Sequence, residues 1–118
     1  MRCPYCGRDV TVFGGRFTPH NTNGVLRNGT PCPLSSQRVP ITGLSDRDHA
    51  ARAELITQLA FQVQDMDPTL VWDYLTCLDG AEIQRLLMFS LAALDIDKTV
   101  HELWDWVTAL PVARLEAA

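Results

Sequence analysis

"CPYCGRDV", residues 3–10, sets two cysteines two residues apart near the start of the chain. Such a pair serves as a redox couple, a disulfide or half of a metal site. A redox C-x2-C sits at a helix N-terminus in a βαβ setting, whereas the residues after Cys6 follow a strand pattern. The next candidate ligands are His20, with thirteen residues between it and Cys6, and Cys32, with eleven residues between it and His20. Four soft or borderline donors in a segment with almost no apolar core are what a tetrahedral Zn²⁺ site requires, and a C-x2-C turn lets two thiolates reach one ion. Cys3, Cys6, His20 and Cys32 are therefore the predicted ligands of one structural Zn²⁺. Pro4 and Gly7 suit the tight turn around the first pair.

Between the ligand pairs, "VTVFGGRFTPH", residues 10–20, alternates apolar and polar residues around Gly14-Gly15, the pattern of a β-hairpin closed by a glycine turn. The hairpin would carry His20 back towards Cys3 and Cys6, and a loop rich in Asn and Gly would bring in Cys32. The head reads as a small zinc ribbon or knuckle with Phe13, Phe17, Val25 and Leu26 as its lining. So few apolar groups do not offset an ordering entropy of about 1–2 kcal/mol per residue, whereas structural zinc supplies about 10–16 kcal/mol. Without metal the head is expected to be disordered. Cys77, at helical spacing with Leu70, Tyr74 and Leu78, reads as a buried thiol. His49 and His101 read as exposed first-turn residues.

At 118 residues, 47% hydrophobic and 20% charged, the chain has the composition of a soluble globular protein. No signal peptide pattern opens it, and the apolar run Leu86 to Leu94 is too short to span a bilayer. The cytoplasm is the expected compartment, where cysteines are kept as thiols or metal ligands. The net charge of −4 hides a division. Residues 1–44 carry five arginines and one acid, and residues 45–118 carry five basic and thirteen acidic residues. All glycines but Gly80, and five of the seven prolines, also precede Leu44. The predicted organisation is a zinc-binding head, 1–44, and an acidic helical domain, 45–118, in a mostly α protein.

Helix signals follow one another from Ser45. Ser45 with Asp48 forms a capping-box pattern, and Leu55, Leu59, Val63 and Met66 recur on one face, giving a first helix to about Asp65. Asp67-Pro68 opens a second, running to Leu78, and Asp79-Gly80 breaks it. A third carries Ile83, Leu87 and Leu94 on one stripe and Leu86, Met88, Phe89 and Leu91 on other sides, so it is expected to be the most buried. Thr99 with Glu102 caps a fourth, carrying Leu103, Trp104, Trp106, Val107 and Leu110 before Pro111 interferes. Short connections favour antiparallel neighbours, and a compact four-helix bundle results.

The pattern argues against catalysis. Four protein ligands leave the zinc no open position for water, and Asp9 is the only carboxylate in the head. No Ser-His-Asp pattern, Gly-rich phosphate loop or H-E-x-x-H motif occurs. Nucleic-acid binding through the basic head, with Arg8, Arg16 and Arg27 as contacts, is the alternative to protein binding. Against it, the head has no Lys, and arginines also offset the charge of a Cys₃His site, which is −1 with Zn²⁺. Helices two and three make a poor helix-turn-helix, because "AEIQRLLMFSLAAL" is largely apolar and an acidic domain is repelled by DNA. Trp104 and Trp106, two apart on a helix, cannot both face one core. One of them, with Glu102 and Asp105 beside it, is expected to dock on a protein partner.

"CPYCGRDV", the single His20, "TPCPLS" and the tail "LAALDIDKTVHELWDWV" together resemble a type of short, functionally uncharacterised protein of actinobacteria and their phages, in which an N-terminal Cys/His knuckle joins a helical segment. In that type a glycine often follows the Cys-Pro of the last ligand, where this chain has Leu34. The resemblance implies a non-enzymatic adaptor or regulator acting on host machinery, transcription machinery included.

Overall fold

A computed structural model describes residues 1–23, 29–105 and 108. The elements are β1 (Val12–Phe13), β2 (Arg16–Phe17), α1 (Asp46–Asp65), α2 (Pro68–Thr76), α3 (Gly80–Ala93) and α4 (Val100–Trp104). The protein is mostly helical, with a small antiparallel hairpin near the N-terminus.

The hairpin pairs Val12 with Phe17 and Phe13 with Arg16. Gly14 and Gly15 close it at φ +60° and +75°, the left-handed conformation a two-residue primed turn demands at both centres. On its other edge β2 is held by the chain at 36–39: Phe17 N donates to Gln37 O at 2.9 Å and Val39 N to Gly15 O at 2.9 Å. Phe17 faces inward and is fully buried, while Phe13, on the opposite face of the ribbon, is 83% exposed. The predicted lining is corrected accordingly. Among the described residues of the head, Val10, Phe17 and Leu34 are buried apolar side chains along with Cys3 and Cys32, and Val25 and Leu26 lie outside the described residues.

The helices begin where their caps stand. Ser45 and Asp48 form the expected capping box, with Asp48 N donating to Ser45 Oγ at 3.1 Å and Ser45 N to Asp48 Oδ2 at 3.1 Å. Asp67 accepts from Thr69 N at 2.9 Å ahead of Pro68, Asp79 from Glu82 N at 2.8 Å, and Thr99 from Glu102 N at 3.1 Å. α2 closes at Thr76, with Cys77 as its C-cap, just short of the expected Leu78. α1 packs against both α2 and α3.

Head and body share one core. Val10, Phe17, Leu34, Cys3 and Cys32 form a single buried cluster with Leu55, Leu59, Val71, Tyr74, Leu78 and Leu86. Polar contacts seal the rim: Arg16 Nη2 donates to Gln58 Oε1 at 2.6 Å, and Arg38 pairs with Glu54 at 3.5 Å.

Under α1 lies an ion pair with no counterpart among the sequence expectations. Arg52 and Glu82 are both buried. Arg52 Nη2 donates to Glu82 Oε2 at 3.0 Å and to Gly43 O at 2.7 Å, and its Nη1 lies 2.9 Å from His49 Nδ1. The hydrogen bond to Glu82 raises the Arg52 pKa further. A Cβ at Gly43 would stand 2.0 Å from Asp48 Oδ2, so only glycine lets the chain pass this close to the capping box. His49 is half-buried, its ring 5.4 Å from that of Phe89, which corrects the exposed first-turn expectation.

α3 is also corrected. It buries only Glu82 and Leu86, and leaves Ile83, Leu87, Met88 and Leu91 exposed. The reason is coverage: α1 lies along one side of α3, and among the described residues α4 is a five-residue helix with no buried side chain. The remainder of the expected fourth helix, from Trp106 through Leu110, contributes only Thr108 to the described residues.

Candidate metal centre

Two tight turns build the centre. In the first, Gly7 N donates to Cys3 O at 2.8 Å and Cys3 N to Arg8 O at 2.7 Å, folding Cys6 back beside Cys3. In the second, Cys32 N donates to His20 O at 2.9 Å and Ser35 N to Cys32 O at 3.0 Å. The Ser35 hydroxyl ties these together, accepting from His20 N at 3.0 Å and donating to His20 O at 2.9 Å. Leu34, the departure from the resembled pattern, is fully buried and anchors this turn in the core.

The structure brings Cys3, Cys6, His20 and Cys32 together, with all four ligand atoms within 4.8 Å of one another. Cys3 Sγ and Cys32 Sγ are 3.7 Å apart. Two sulfurs each about 2.3 Å from a tetrahedral zinc ion stand about 3.8 Å apart. Cys3 and Cys32 are buried, and Cys6 and His20 are half-buried, so the cluster caps the edge of the core.

His20 carries the clearest sign of a ligand. Its Nδ1 lies 2.8 Å from Thr18 O, and a carbonyl there requires the ring proton on Nδ1. The lone pair is then on Nε2, which is buried without a hydrogen-bond partner. A buried acceptor left unpaired costs about 1–3 kcal/mol. A metal ion removes that cost, and a backbone carbonyl on the far nitrogen is how protein sites commonly orient a ligating imidazole.

The thiols respond to one another. Burial raises the Cys3 pKa, but hydrogen bonds from backbone amides, that of Cys6 first and then that of Tyr5, outweigh it and bring the thiol to about 7. Cys32 is pushed up to about 12 by burial, with the hydrogen bond to Cys3 and its charge adding to the rise against the Leu34 amide. A divalent cation replaces the thiol protons and lets neighbouring thiolates coexist. Donor chemistry, spacing and the orphaned Nε2 all fit a tetrahedral metal ion.

The other candidates lie elsewhere. Asp9 accepts from the Met1 amine at 2.9 Å, which holds its carboxyl below the usual range. Cys77 is half-buried and donates to Asp73 O at 3.3 Å, and His101 is exposed, 3.9 Å from Asp105. Arg8 is exposed, Arg16 is engaged with Gln58 and Ser36 O, and Arg27 lies outside the described residues. Glu102, Trp104 and Asp105 are exposed, Trp104 by 45%, and Trp106 lies outside the described residues. Thr18 and Ser35, which position His20, were not anticipated. No local spacing rule marks a carbonyl or hydroxyl as a ligand's support.

Fold and cluster define a small, mostly helical protein with a Cys₃His group able to hold a metal ion. Residues 1–113 match the family of unknown function DUF7368, and the chain belongs to that family. No curated protein and no solved structure matches it. Among the described residues no helix is long and apolar enough to cross a membrane.

Proposed function

We propose that this chain is a non-enzymatic, zinc-folded adaptor or regulator that docks on a macromolecular partner in a reducing compartment such as the cytoplasm. The observation that carries the zinc reading is the unpaired Nε2 of His20, fixed by Thr18 among three sulfurs. Three thiolates and an imidazole fill a tetrahedral ion, which makes the metal structural: it leaves no position for a reacting water. Docking is supported by Trp104, half in solvent beside Glu102 and Asp105. The resemblance to actinobacterial and phage proteins points to host machinery, transcription machinery included, as the partner. Direct nucleic-acid binding has weaker support, because Arg16 and Arg38 are engaged with the body.

Metal analysis of the purified chain is expected to give one zinc per molecule, lost in Cys3→Ser, Cys6→Ser, His20→Ala and Cys32→Ser and retained in Cys77→Ser. Full zinc in the His20→Ala protein overturns the ligand assignment. For docking, Trp104→Ala is expected to leave the melting temperature nearly unchanged while costing about 2 kcal/mol in partner binding. Submicromolar, steeply salt-dependent nucleic-acid binding that disappears in the Arg8/Arg16/Arg27→Ala triple variant would replace this reading with the alternative.

A further inference from the structure

The exposed side of α3 is the wall of a groove. Ile83, Leu87 and Leu94 line it and recur at spacings of four and seven, so they form one stripe. All three are exposed, Leu87 by 56%. Ile56, Ala60 and Val63 of α1, Leu75 of α2 and Trp104 line it as well. The cavity they enclose is about 720 Å³ and opens to solvent. From Ile83 to Leu94 it runs about 16 Å at the helical rise, three turns of an α-helix. Among the described residues nothing covers this apolar surface, and an apolar surface of this extent marks an interaction site in a folded protein.

The margin of the groove decides the occupant. Glu102 lines it, and exposed carboxylates adjoin other lining residues in the chain: Asp65 follows Gln64, Asp95 follows Leu94, Asp97 precedes Lys98, and Asp105 follows Trp104. Lys98 is the only basic residue among the described residues that line it. A second copy docking by the same face would bring two acidic margins together, and a nucleic acid would meet like charge. A helix with apolar side chains at i, i+3 or i+4 and i+7 and with Lys or Arg on its flanks satisfies both the floor and the rim.

We propose that this groove is the docking site for one cationic amphipathic α-helix of a partner protein. This inference rests on the reading of the chain as a docking protein and names the seat and the chemistry of its occupant. The apolar stripe supplies the anchoring pockets, Trp104 borders the seated helix, and the carboxylates select a basic partner and speed its approach.

The test uses the full zinc-loaded chain and two synthetic helical peptides of about 18 residues with leucines at i, i+3 or i+4 and i+7. One carries Lys on its flanks, and the other Glu at the same positions. The Lys peptide is expected to bind with micromolar affinity by calorimetry, at least about tenfold more tightly than the Glu peptide. The exposed-residue variant Leu87→Ser/Leu94→Ser should weaken it by about tenfold or more with zinc content and melting temperature kept. Asp97→Lys/Glu102→Lys, which alters only exposed charges, should narrow the gap between the two peptides. The proposal is overturned if the Lys peptide does not bind, as when the chain's own C-terminal residues fill the groove. Equal binding of the two peptides, or no response to either variant, overturns it too. So does a concentration-dependent dimer that Leu87→Ser/Leu94→Ser abolishes, which would make the occupant a second copy. If partner capture depends on Trp104 while the peptides fail, the docking reading stands without the groove. If the peptides bind and zinc is absent, the groove stands without the zinc reading.

Discussion

Residues 1–40 and residues 45–94 are ordered by different forces. The body places Leu55, Leu59, Val71, Tyr74 and Leu86 in the core from three helices with capped N-termini, and Leu78 from the turn between α2 and α3. The head adds Val10, Phe17 and Leu34, along with Cys3 and Cys32. A buried side chain of this size contributes about 1.5–3 kcal/mol, too little in the head to offset the ordering of its long irregular segments. The difference teaches that local order here does not follow the density of apolar residues. On the zinc reading proposed above, four donors would let a loop-rich segment fold around a point, with its few apolar side chains left to seat the body.

Removing the metal tests that contrast most severely. Structural zinc of this kind is worth about 10–16 kcal/mol, so a high-affinity chelator is expected to collapse the amide dispersion of residues 1–40 while much of the far-UV helical signal persists. If the head keeps its dispersed signals, apolar packing suffices and the contrast fails. Simultaneous loss of both regions would instead make the shared core the dominant link.

The body's own anchor comes next. Arg52→Ala or Glu82→Gln leaves a buried group without its partner and is expected to cost about 3–5 kcal/mol, read from denaturant midpoints. Arg52→Met combined with Glu82→Leu should recover most of that loss, because the pair's desolvation cost disappears with it. Zinc content should be unchanged in all three. A single substitution costing under about 1 kcal/mol would show that the pair is incidental to α1–α3 packing.

The finest test concerns the junction. Asp48 is held below the usual carboxylate range first by the Ser45 hydroxyl and then by the Ser45 amide. A lowered folded pKa means that its contribution is complete above the unfolded value and is lost as pH falls through the lowered one. In Ser45→Ala the Asp48 carboxyl shift, followed by NMR, is expected to titrate closer to the usual range, and the acid limb of α1 stability should shrink with it. An unchanged titration would assign the shift to the Ser45 amide, which this substitution keeps, and to the nearby charges of Arg52 and His49.

What could be read from the sequence was local. Gly14-Gly15 within an alternating run specifies a primed turn over four residues, and Ser45 with Asp48 specifies a helix start over the same span. The ligand types and spacing of Cys3, Cys6, His20 and Cys32 need only donor chemistry to be recognised. What escaped was long-range. Arg52 shares a helical face with Leu55 and Leu59, a spacing that hints at burial, but its partner Glu82 is thirty residues away and no pattern near either residue announces the pair. Phe13 and Phe17 look alike until the hairpin fixes which face meets α1. α3 is apolar on several sides, and which sides are covered depends on what packs there.

The single core shared by Phe17, Leu34, Leu55 and Tyr74 also sets an order in time. A chain leaves the ribosome N-terminus first at about 5–20 residues per second, so Cys3 to Cys32 emerge before α1 and α2 exist to cover them. During that interval the thiols stand in solvent, reactive towards any oxidant and open to any metal. The side chains that later bury Cys3 and Cys32 arrive only with the helices. On the zinc reading proposed above, an ion would load most easily early in synthesis, and completion of the body would then close over it.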